Sequence, residues 1–161
     1  MTFKFSALGA AALFAASFSA ASAQELVGEA GGWEIYRDAS MGGGCYMTSA
    51  FEDGSIVQLG YDISEDAAFF TVFNGDWTDI TEGEVYPMTF DIDGQPWTAD
   101  GHGMNTGDLG GILVMVENED FFVDLATKNS LIVSNEAGEV AHLDLGGTRD
   151  AVIATSDCVT G

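Results

Sequence analysis

Two cysteines in 161 residues, Cys45 and Cys158, constrain the fold of this chain more than anything else in it. They lie 113 residues apart. A bond between them would tie the end of the chain to its early strands. In the chain-entropy picture, closing a loop of about 100 residues contributes about 4 to 5 kcal/mol. Only one intramolecular pairing exists. A competing reading makes Cys45 a nucleophile, since Gly44-Cys45-Tyr46 with a distant histidine is faintly like a thiol hydrolase. The compartment bears on the choice, because disulfides persist where surroundings are oxidising.

The N-terminus points to such a compartment. Lys4 supplies a positive start, Ala7 to Ala16 an apolar run, and Ala21-Ser22-Ala23 a small-x-small cleavage site. Residues 1–23 therefore read as a signal peptide, and the mature chain is expected to begin at Gln24. The apolar run is too short, and too poor in large side chains, to favour a spanning helix. No cysteine follows the cleavage site to carry a lipid anchor, and no second apolar stretch of spanning length follows. The expectation is a periplasmic or secreted protein that is not integral to a membrane. The 138 residues from 24 to 161 suit a single secreted domain with a real core.

Charge narrows the partners. All 26 acidic residues follow the signal, opposed by Arg37, Lys128 and Arg149 alone, which leaves a net charge of −23. Three cations cannot form a basic patch, so nucleic acid is excluded as an expected partner, and an anionic membrane surface would repel the chain. The acidity reads first as a solvated surface and second as a place for divalent cations.

Period-two alternation dominates the pattern. Strands are expected at Trp33–Tyr36, Cys45–Phe51, around Val57–Ile63, at Ala67–Phe73, Val85–Ile92, Leu131–Val133 and Val140–Leu145, and the apolar run Ile112–Val116 reads as a strand or as a first helical turn. Residues Gln24 to Gly32 read as a loose lead-in, and the five glycines of 101–111 as a mobile loop around His102. Asp53-Gly54 and Asp93-Gly94 are hairpin signals. Pro87 confines its strand to an edge or a bulge. A short helix follows Asn118, with Phe122, Leu125 and Ala126 on one face. A second helix follows Gly147, with Ala151, Ala154, Thr155 and Cys158 on one face. The expected class is α+β with β dominant: an antiparallel sandwich, or a curved sheet or barrel, of about seven to nine strands and two short helices.

Chemistry is thinly signalled. There is no Gly-x-Ser-x-Gly elbow and no His-Glu-x-x-His helix, and two histidines cannot build a multi-histidine metal centre. His142 falls on the polar face of a strand. Asn74, Asp76, Asp79 and Glu82 carry oxygen ligands at loop spacing, but the glycine and final glutamate of a calcium loop are missing. Trp33, Trp77 and Trp97 could line a ligand groove, although aromatics in strands more often fill cores.

Trp33-Glu34-Ile35, Cys45-Tyr46-Met47, Phe121-Phe122-x-x-Leu125, Leu131-Ile132-Val133 and Leu143-x-Leu145-Gly146-x-x-x-x-Ala151 form a pattern behind the export signal. Together they resemble the invasion-associated locus B family of exported alphaproteobacterial proteins. The resemblance implies a β-rich periplasmic or envelope-associated protein with no established catalytic residues, so none is carried over. The expected function is therefore non-enzymatic: binding of a protein or envelope component, with no cofactor. The alternatives are a small-ligand or calcium-binding module, and a hydrolase with His102 beside a carboxylate or hydroxyl in a pocket.

Overall fold

The computed structural model describes residues 23–118, 120–136 and 138–161. The expected signal lies outside these residues, Ala23 excepted. Ten strands form one antiparallel sheet: β1 (Gln24–Ala30), β2 (Trp33–Asp38), β3 (Gly44–Ala50), β4 (Ser55–Asp62), β5 (Ala67–Asn74), β6 (Val85–Ile92), β7 (Gln95–Thr106), β8 (Leu109–Val116), β9 (Ser130–Asn135) and β10 (Gly138–Asp144). Two helices accompany them, α1 (Asp120–Thr127) and α2 (Thr148–Thr160). The spatial order is β1-β2-β3-β4-β5-β8-β7-β6-β9-β10, with β1 and β10 as open edges. The β-dominant class is as the alternation implies, and the sheet is curved but not closed into a barrel.

The alternating apolar residues put one face of this sheet into a single core. Ile35, Met47, Leu59, Phe70, Phe90, Val114, Val133 and Leu143, from eight different strands, share it with Phe121 and Leu125 of α1 and Ala151 of α2. One face can meet itself across so many strands only if the sheet coils. The coil is tight enough for the β1–β2 turn to touch the β10–α2 junction: a Cβ on Gly31 would lie 2.0 Å from the Gly147 carbonyl oxygen. From that contact α2 packs along β2 and β3 to reach Cys45. Its 13 residues rise about 20 Å, as do the six of β2, so helix and strand match end to end.

Three expectations are corrected. Residues Gln24 to Ala30 are no lead-in but the edge strand β1, paired with β2. They escape the periodicity because every one of them but Ala30 is exposed, and a bulge between Leu26 and Gly28 breaks the alternation. The glycines of 101–111 belong chiefly to β7 and β8. They mark close packing instead of mobility: the connection from β5 to β6 crosses the core-facing side of β8 and β7. A Cβ on Gly110 would stand 2.0 Å from the Trp77 carbonyl oxygen, and one on Gly103 2.2 Å from that of Thr81. On α1 the buried pair is Phe121 and Leu125, one residue off the expected face.

Other signals hold. Asp93 and Gly94 both take positive φ, 50° and 86°, in a two-residue hairpin between the partners Ile92 and Gln95. Pro87 sits where β6 pairs with β7 alone, since β9 joins only from Thr89. Phe69, Thr71 and Phe73 are buried on the outer face of β5 as Phe70 and Val72 are on the inner. There the Phe73 ring occupies the space a side chain at Gly111 would take, 2.4 Å from its Cβ position.

Candidate functional site

The two cysteines come together. Cys45 on β3 and Cys158 on α2 form a disulfide with a Cα–Cα distance of 6.1 Å. Cys45 is fully buried, so its reading as a nucleophile fails. Arg37, opposite Cys45 on β2, donates from its guanidinium to the Cys158 carbonyl oxygen at 2.7 Å. A cation at a helix C-terminus is electrostatically favourable, so one of the chain's few basic residues secures the same junction as the bridge. Beside it, Asp38 accepts from the Ser40 amide at 2.8 Å and hydroxyl at 2.6 Å. Burial raises the Asp38 carboxyl, but these hydrogen bonds outweigh it and hold the group below the ordinary aspartate value.

The candidate cation ligands are not assembled. Asn74 is buried at the end of β5 and its side chain is committed. Its Oδ1 accepts from the Asp76 amide at 2.9 Å, and its Nδ2 donates to the Ser55 hydroxyl at 3.2 Å and the Asp53 carbonyl at 3.4 Å. Asp76, Asp79 and Glu82 are exposed along a connection anchored in the core by Trp77 and Ile80. Among the described residues no three His, Cys, Asp or Glu side chains are grouped to hold a metal ion. Trp33 is in the core against Phe51. The three tryptophans therefore do not share a groove.

Trp97 does line an opening, and it arises because two neighbouring strands part. β7 and β8 pair from Thr106↔Leu109 to Gly101↔Val114. Beyond that, β7 continues back to Gln95 paired with β6 alone, while β8 runs on to Val116 paired with β5 alone. Phe121, delivered by α1, is the wedge. It meets Phe90, Phe70 and Trp97 edge-on at centroid distances of 5.7, 5.9 and 6.0 Å. The Trp97 indole N–H donates to Asp124 of α1 at 3.2 Å, which fixes the ring.

The resulting cleft measures about 470 Å³, within the usual range of ligand sites. Its floor is apolar: Phe90, Trp97, Ala99, Val114, Val116 and Phe121. Its rim carries Asp100, His102 and Glu117, all exposed. His102 was expected on a loop; it stands on β7, where it shares a face and this cleft with Asp100. Among the described residues its ring has no hydrogen-bond partner. His142 is exposed on β10, as its strand face implies. A second opening of about 450 Å³, largely apolar, lies between α1, α2 and the strands β3 to β5.

No family model matches this chain, and no curated protein does. Among solved structures, the crystal structure of invasion associated protein B from Bartonella henselae is similar in fold. Its TM-score is 0.63 at 11% sequence identity, over 85% of this chain and 100% of that one. The likeness extends to architecture alone. Among the described residues no helix is long and apolar enough to cross a membrane, and the disulfide fits an oxidising, extracytoplasmic setting.

Proposed function

We propose that this chain is an exported, disulfide-clamped binding protein, akin to the invasion-associated locus B family, that holds a protein or envelope component without catalysing a reaction. The observation that carries this reading is the cleft between β7 and β8. It presents an apolar floor and a charged rim. Recognition by a few aromatic anchors inside a polar rim is how binding surfaces concentrate affinity. The fold likeness to an invasion-associated protein and the N-terminal export features support the same setting.

The test is affinity capture from an envelope extract with the oxidised protein spanning residues 24–161. One discrete component, retained at physiological salt and released when Trp97→Ala replaces the wild-type, is the expected result. Hydrolysis of generic ester or peptide substrates that disappears in His102→Ala would replace this reading with an enzymatic one.

A further inference from the structure

Every strand inside this sheet has neighbours on both sides, yet β7 loses one of them halfway along. From Gln95 to Asp100 it is paired with β6 only, and its other edge faces the cleft. Main-chain N–H and C=O groups on such an edge are strong, obligatory hydrogen-bonding groups and form a ready template for a further strand. Phe121 and Asp124 of α1 contact Trp97 on this edge, the first through an edge-on ring contact and the second by accepting from the indole N–H.

The side chains on either face of this edge differ. Trp97 and Ala99 face the core side, where Phe90, Val114 and Phe121 complete an apolar floor. Asp100 and, just past the end of β8, Glu117 stand on the exposed rim of the cleft. An added strand would place successive side chains alternately on these two sides. Every second residue would then meet apolar surface, and those between would stand on the side of Asp100 and Glu117, beside Thr98 and Met115. The lysine and the two arginines of the described residues lie elsewhere: Arg37 at the end of α2, Lys128 after α1, Arg149 in α2. The rim charge is therefore not neutralised locally.

We infer that the free edge of β7 at Trp97–Asp100 is a docking site for an extended peptide segment that alternates apolar and basic residues, bound by strand addition. This rests on the reading of the chain as a binding protein and names its partner class. Main-chain pairing supplies the affinity and the two faces of the cleft supply the selectivity. The overall negative charge speeds encounter with such a segment.

The experiment uses the oxidised protein and a fluorescein-labelled peptide alternating Val and Lys, followed by anisotropy at physiological ionic strength. Saturable binding is expected. It should weaken at least about tenfold, or about 1.4 kcal/mol, in the Asp100→Asn/Glu117→Gln double variant, both of whose sites are exposed. The same peptide with alternate amides N-methylated keeps its charge but cannot pair, and should lose at least as much. Equal binding of the methylated peptide, or no effect of the double variant, would reduce the contact to general attraction by an acidic surface and overturn the proposal. So would failure of the unmethylated peptide to bind. If that failure came while the envelope component was still captured, only this inference would fall; loss of capture by the wild-type protein would remove the broader reading.

Discussion

Asp93 shows how much one exposed side chain can organise. From the β6–β7 turn it reaches the start of β9, accepting from the amide and side chain of Asn129 and the amide and hydroxyl of Ser130, each at 3.0 Å. The Asn129 amide bond, with the others, outweighs the opposing effect of desolvation and holds the carboxyl below its ordinary 3.8. A carboxyl lowered by folding stabilises the native state above its unfolded pKa, and that stability is lost as the pH falls through its folded value. Asp93→Asn should therefore lower the melting temperature at neutral pH and make it less sensitive to acid below pH 3.8. A melting-temperature series against pH measures this; parallel wild-type and variant curves would rule it out. Tyr46 is the opposite case. Burial first, then nearby carboxylates, push its phenol up to about 12. It stacks on Tyr36 at 5.5 Å, and the Gly60 opposite has no room for a Cβ, which would sit 2.4 Å from that of Tyr46.

At the level of elements, glycine separates packing from turn making. Gly110 lies under the Trp77 carbonyl, and Gly75 has nothing nearer than a flexible leucine methyl at 3.7 Å. Gly110→Ala forces backbone apart and should cost about 1 to 3 kcal/mol; Gly75→Ala should stay within about 0.5 kcal/mol. Denaturant melts of the two would check this, and equal effects would contradict the close crossing of the connection over β8. The same crossing explains why this stretch is opaque to sequence reading. Glycines packed beneath a segment distant in sequence look, locally, like those of a loop. The strands around Val57, Phe90 and Leu143 are legible because a half-buried strand writes its own period. So is the face of β10, where Ala141 and Leu143 are buried and His142 is exposed. The cleft is not legible, since it depends on where β7 and β8 stop pairing, and that is fixed by the wedge of Phe121 from another element. Its members Trp97 and His102 stood out by residue type, but nothing in the spacing brought them together.

For the whole molecule, the excess of acidic side chains opposes compaction. Residues 24–161 should melt at higher temperature as salt rises from low to physiological, because ions screen the repulsion. Calcium should add no more than magnesium at matched ionic strength, since Asn74, Asp76, Asp79 and Glu82 form no common cage. A calcium-specific rise in melting temperature would reopen that site. Against the repulsion stand the coiled sheet with its single core and the bridge that pins α2 across it, while Arg37 holds the end of the helix. The bridge fits an oxidising setting outside the cytoplasm, and the binding reading depends on that setting. Intact-mass spectrometry of the full-length chain, expressed with its N-terminal segment and recovered from the periplasm or medium, tests this most directly. The predicted mass is that of residues 24–161 less the two hydrogens lost in forming the Cys45–Cys158 bond. A mass that retains residues 1–23, or one with both thiols reduced, would contradict the account.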